Sequence, residues 1–194
     1  MTTSTKDRIL DTTAEMFRRY GYTGTGLKQI VQKANAPFGS LYHHFPGGKE
    51  ELGAEVIRRS GRMYQDLVTA IVDASPTIDS SVENVFSGAA AVLVATDYAD
   101  ACPIAAVALE VASTNEALRQ ATAEVFEAWI VAATERFTAA RIAAPKARAL
   151  AIGMIAALEG AFVLARATRS TEPMDVAGAM ASAALKAALQ ESRG

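Results

Sequence analysis

Residues 25–45 read TGLKQIVQKANAPFGSLYHHF. Thr25 is a good helix N-cap, and Leu27, Ile30, Val31 and Ala34 follow at the spacing of one buried helical face. Asn35 stands where the chain must leave that helix, and Asn tolerates the left-handed conformation better than most residues. Pro37 suits the first turn of a further helix, because its missing N–H is not needed there. That helix is short, Phe38 to Phe45, and is closed by Pro46-Gly47-Gly48. Gly39 and Ser40 near its start let the backbone approach a wall, while Leu41 and Phe45 face inward. A short amphipathic helix, a tight turn and a second stubby helix suit a tri-helical DNA reader, whose second helix enters the major groove N-terminus first. Tyr42 and His44 offer a hydroxyl and a ring N–H to phosphate oxygens. The same layout also occurs in bundles that bind no nucleic acid, and Tyr-His-His-Phe also fits a packed aromatic cluster.

Upstream, Ser4 lies three residues before Asp7, an approximate capping box. Ile9, Leu10, Thr13, Ala14, Phe17 and Tyr20 then recur at helical spacing, and Gly21 supplies a stop. Downstream, helices are expected near 49–74, 78–96, 103–112, 115–142, 146–168 and 173–191. Breaks are expected at 97–100, Ser113-Thr114, Ala144-Pro145 and 171–173. No segment alternates with period two, and no repeat is visible. The expected fold is all-α: a three-helix helix-turn-helix head over 1–48 on a helical-bundle body over 49–194.

The bulk properties narrow the function. Half the 194 residues are hydrophobic and only 7% are aromatic, which fits a packed, alanine-rich helical core. Net charge is −2, yet residues 1–60 carry nine basic and six acidic side chains, leaving ten basic and fifteen acidic for the remainder. A basic head on an acidic body localises attraction for phosphate at one end. Cys102, the single cysteine, allows no internal disulfide, and no metal-ligand cluster is apparent. His43 and His44 are adjacent on a helix and so do not face one another. Without a nucleophile–base pair, metal constellation or phosphate loop, an enzyme is not expected, nor is a cofactor. No clean run of about 18 apolar residues and no secretory signal stand out, so the cytoplasm is expected and a membrane is not.

Thr25, Ile30, Ala34, Gly39, Leu41-Tyr42-His43-His44-Phe45, Lys49 and Leu52 stand where TetR-family regulators carry their signature, and the chain resembles that family. It looks most like a branch with the run Phe45-Pro46-Gly47-Gly48-Lys49-Glu50-Glu51-Leu52 and a mid-chain Cys102-Pro103-Ile104, followed by Ala106-Val107-Ala108-Leu109-Glu110. That branch includes repressors of multidrug-resistance genes that release DNA on binding planar aromatic compounds such as flavonoids. The resemblance implies phosphate contacts from Thr25, Tyr42, His44 and Lys49. It places Lys28, Phe38, Ser40 and His43 nearest base edges, with Gly39 permitting close approach. Two positions depart from the pattern: Asn35 replaces the usual Gly, and Phe38 a basic or polar residue. A phenyl ring cannot donate to guanine and suits a thymine methyl instead. Arg18, Arg19, Arg58 and Arg59 read as solvated faces.

A reader of this kind must place two recognition helices about 34–36 Å apart, hence a homodimer. The expected seam is 146–168, with Ile152, Ile155, Ala156, Phe162 and Val163, and 173–191, with Met174, Ala177, Gly178, Ala181, Ala184, Leu185 and Ala188. The other helices are expected to enclose an effector pocket lined by Met63, Tyr64, Leu67, Phe86, Leu93, Cys102, Phe126, Trp129, Ile130, Met154, Glu159 and Phe162. Tyr64 and Glu159 would be its polar anchors. The expected function is a repressor that binds a palindromic double-stranded operator and leaves it on binding a small apolar or aromatic effector. The alternative is a helical small-molecule-binding protein or carrier without sequence-specific DNA binding.

Overall fold

The computed structural model describes residues 4–192. Among them the chain forms nine α-helices and no strand: α1 (Thr5–Tyr20), α2 (Leu27–Lys33), α3 (Phe38–His44), α4 (Gly48–Ala74), α5 (Ile78–Ala95), α6 (Pro103–Val111), α7 (Glu116–Ala139), α8 (Ala144–Thr168) and α9 (Glu172–Glu191). The all-α expectation holds, and local chemistry explains most of the boundaries. Ser4 caps α1 by accepting the Asp7 N–H at 3.1 Å. Asn35 ends α2 with φ 47°, the left-handed conformation expected of it. Thr77 caps α5, and Asn115 accepts the Leu118 N–H at 2.9 Å at the start of α7.

Four boundaries differ from expectation. Pro145 and Pro173 do not break the chain but lie in the first turns of α8 and α9, where the missing N–H costs nothing. Helix α7 stops at Ala139 because Arg141 takes φ 70°, which returns Ile142 into the core. Gly26, not Thr25, is the N-cap of α2, with the Gln29 side-chain oxygen accepting the Gly26 N–H at 3.1 Å.

The chain divides into two compact units, one comprising residues up to Met63 with Cys102–Val125, the other Tyr64–Ala101 with Phe126 onward. The first unit contains α1 to α3, the start of α4, α6 and the start of α7. In the first unit, Ile9, Phe17, Ile30, Leu41, Phe45, Leu52 and Ile57 are fully buried together with Ile104 and Leu118. Helix α4 meets α7 at Gly61, where a Cβ would lie 2.5 Å from Val125 Cγ1, so only glycine allows this approach.

In the second unit α9 packs on both α5 and α8. Its core joins Phe86, Leu93, Phe137, Ile142, Met174 and Leu185 to a set of small alanines. This corrects the expected seam. Met174, Gly178, Ala181, Leu185 and Ala188 face the protomer's own core, and the exposed apolar side of α9 is Val176 and Met180. The helix is apolar on two sides, and sequence spacing alone does not say which side packs inward. On α8, Ile152, Val163 and Leu164 are exposed.

Helices α5 and α8 are long and apolar enough to cross a bilayer by length and composition alone, although Asp79 and Glu83 interrupt the first and Glu159 the second. Both contribute to the core of the second unit, and only a minority of each apolar window is buried. Mostly buried core helices of soluble proteins satisfy the same criterion.

Candidate nucleic-acid interface

Helix α3 is held from behind and open in front. Leu41 and Phe45 are fully buried beneath it. Phe38 and Tyr42, one turn apart, are 45% and 47% exposed and stack edge to face with ring centroids 5.7 Å apart. Between them Gly39 faces open space, since a Cβ added there would meet nothing within 4 Å. His43 is exposed, and Ser40 and His44 are half-buried. Lys28 on α2 is also exposed. Phe38, Gly39, Ser40, Tyr42 and His43 thus form one outward surface without competing protein contacts at Gly39.

Two of the expected phosphate-binding residues are engaged within the protein. Thr25 is fully buried, donating its hydroxyl to the Gly21 carbonyl at 2.7 Å and its N–H to the Tyr22 carbonyl at 3.2 Å. It closes the α1–α2 turn from inside and presents no side chain outward. Lys49 is half-buried with its ammonium 4.2 Å from the centre of the Tyr22 ring, a cation–π distance. Burial holds its pKa below the usual lysine value, partly offset by the negative charge of Glu110. Burial, and then the charge of Glu50, push the Tyr22 phenol the other way, above its ordinary value.

The basic side chains flanking the head are largely paired. Arg58 makes a two-pronged bond to Glu124 at 2.7 and 3.2 Å, and Arg59 reaches Asp11 at 2.9 Å. Lys33 bonds Glu15 at 2.7 Å, and Lys6 bonds Glu55 at 2.8 Å. Sequence reasoning missed two further residues. Arg8 on α1 donates to the carbonyls of Ala34 and Asn35, at 3.1 and 3.3 Å, and so braces the turn between α2 and α3. Glu110 on α6 accepts two N–H groups of the turn between α1 and α2. Both act across long sequence separations, so no local pattern announces them. The run Ala-Val-Ala-Leu-Glu around Glu110 was the only available signal.

Residues 9–56 match the family model for bacterial regulatory proteins of the tetR family, and residues 80–180 match the C-terminal domain of LmrA/YxaF-like transcriptional regulators. The chain belongs to the TetR family. It is 30% identical over 169 residues to the uncharacterised HTH-type transcriptional regulator YxaF of Bacillus subtilis, covering 87% of this chain and 88% of that one. It is 25% identical over 181 residues to the HTH-type transcriptional repressor DhaR of a Mycobacterium species, covering 89% and 88%. A TetR regulatory protein from Rhodobacter sphaeroides has the same fold, with TM-score 0.82 at 19% identity over 92% of this chain and 97% of that one. This TetR-family member is therefore a DNA-binding transcription regulator and not an enzyme.

The expected effector residues of this TetR-family chain fall in both units: Met63 and Cys102 in the first, the others in the second. Phe86 and Leu93 are core residues, with Ile130, Met154 and Phe162 packed against that core. Phe126 and Trp129 stack edge to face, centroids 5.7 Å apart. Met63 and Leu67 are half exposed, at 52% and 51%. Cys102 is buried as the N-cap residue of α6. An open hollow of about 440 Å³ lies on the head, lined by Met16, Tyr20, Gly24, Gln29, Gln32 and Lys33, none of them expected effector residues.

Proposed function

We propose that this regulator is a repressor that binds a palindromic operator as a homodimer in the cytoplasm and is released by a small, largely apolar or aromatic effector. The observation that carries the reading is the open outer face of α3. Phe38 and Tyr42 project from it, and Gly39 leaves the backbone free to approach a groove wall. Phe38, Ser40, His43 and Lys28 read base edges, while Tyr42, His44 and Lys49 contact phosphates. Lys49 must leave the Tyr22 ring to do so. Thr25 is omitted from the contact set because its polar groups point inward.

Repression is favoured by the likeness to DhaR, which is named as a repressor. Dimerisation is favoured by the exposed apolar side chains Ile152, Val163 and Leu164 on α8 with Val176 and Met180 on α9. Large exposed apolar patches are rare on monomeric proteins. The effector reading rests on the resemblance to flavonoid- and multidrug-responsive repressors and on the aromatic side chains of the second unit: Tyr64, Phe86, Phe126, Trp129 and Phe162, with Leu67, Ile130, Met154 and Glu159. In the absence of effector the two heads sit at operator spacing. Effector binding favours a state in which α4 has swung and mis-spaced them. Moving that balance from 99:1 to 1:99 needs about 5.5 kcal/mol of differential affinity.

Selecting duplexes from a random pool, then titrating planar aromatic compounds against the selected duplex in a gel shift, tests the proposal. A palindromic duplex bound by two chains and released by at least one compound class is expected. Failure to enrich any duplex would remove the DNA reading, and indifference to every compound would remove the effector reading.

A further inference from the structure

Both carboxylate oxygens of Glu110, on α6, are committed to the backbone of the α1–α2 turn. The Tyr22 N–H donates to Oε1 at 3.0 Å and the Thr23 N–H to Oε2 at 2.7 Å, across 88 and 87 residues of sequence. Hydrogen bonds to an ionised acceptor are roughly twice as strong as neutral ones. The rest of the turn is arranged around this carboxylate. Gly21 follows α1 with φ 69°, a conformation that other residues rarely adopt, and a Cβ there would displace the Glu110 carboxylate. Thr25 closes the turn from inside through its hydroxyl and N–H. The Tyr22 ring lies between the edge of Phe17, at 5.7 Å, and the Lys49 ammonium, at 4.2 Å. Gly24 and Gly26 would otherwise leave this connection many conformations. One side chain from α6 therefore anchors, from outside, the turn that Thr25 and the Tyr22 ring close from inside.

We infer that Glu110 is a positioning residue for operator binding, latching α6 to the α1–α2 turn and thereby holding α3 in the pose that meets DNA. The inference rests on the DNA-binding reading above. Charge alone argues the opposite way. A carboxylate in the DNA-binding unit repels phosphate, so neutralising it should tighten binding to any duplex. A positioning role requires neutralisation to weaken binding to the selected duplex.

Glu110→Gln keeps the shape and removes the charge. Its amide oxygen serves one N–H and turns an NH2 towards the other. The full chain and the variant are compared by fluorescence anisotropy on the duplex selected by the wild type and on a scrambled duplex of equal length. Amide hydrogen exchange is followed on both proteins free of DNA. The expected result is roughly tenfold weaker binding to the selected duplex. Binding to the scrambled duplex should be unchanged or tighter, and exchange should accelerate at Tyr22 and Thr23. Equal or tighter binding to the selected duplex overturns the inference. Where circular dichroism shows the variant unfolded, wild-type exchange decides: protected Tyr22 and Thr23 amides uphold the latch, and amides exchanging at free-turn rates overturn it. A wild-type chain that enriches no duplex fails the DNA reading first, a result distinct from an unaffected variant.

Discussion

Individual side chains at the proposed DNA interface differ in chemistry, and that chemistry separates the effects expected of them. Phe38 offers only apolar contact, so Phe38→Ala should relax discrimination at one operator position by about 1 kcal/mol. Binding to unrelated duplexes should hardly change, as competition anisotropy with single-position operator variants would show. Lys49→Ala removes a charge, so it should weaken binding to all duplexes and reduce the slope of log affinity against log salt by about one. An unchanged slope would mean that Lys49 remains on the Tyr22 ring when DNA is bound. The face of α3 was legible at this scale because a short helix with small residues at its start and Leu41 and Phe45 inward leaves only one outward side. Asn35 was legible too, since a left-handed residue after a helix is a local requirement. Thr25 was not. A threonine before a helix reads as a cap, and only the approach of the Gly21 carbonyl turned its hydroxyl inward.

Helices depend on how closely their neighbours come. A methyl group on Gly61 would collide with the side chain of Val125, so Gly61→Ala should destabilise the first unit by about 1–3 kcal/mol. Thermal denaturation would register this, and adding Val125→Ala should restore part of the loss because the two positions touch. The start of α7 carries a pH-dependent contribution. Two bonds from Arg119 at 2.7 Å, with further help from Gln120, hold Glu116 down to about 2 from its ordinary 4.5. A depressed carboxyl pKa stabilises fully above the unfolded value and loses that effect as pH falls through the folded one. Melting temperature should therefore decline between pH 4.5 and about 2, and Glu116→Gln should make that limb shallower. Helix order and most helix ends were readable from caps, prolines and glycines. The inward side of α9 was not, because a helix apolar on two sides has no single preferred face until α5 and α8 arrive.

At the scale of the whole molecule, the exposed apolar side chains of α8 and α9 set the expected assembly. Met180, 69% exposed, lies on this proposed seam. Met180→Glu should give a monomer by sedimentation with helix content intact, and operator affinity should fall steeply because two linked heads bind far better than one. A dimer that persists would place the seam elsewhere. The sequence by itself determined the helical class, the helix-turn-helix and the family resemblance. Those depend on periodicity, capping and short-range stereochemistry, which are written into neighbouring residues. Only the tertiary structure decided that the head packs together with α6 and the start of α7, that Arg8 and Glu110 brace its two turns, and which face of α9 is spent on the core. Each is a contact between residues far apart along the chain, where side-chain reach and closeness of approach settle the outcome and local pattern is silent.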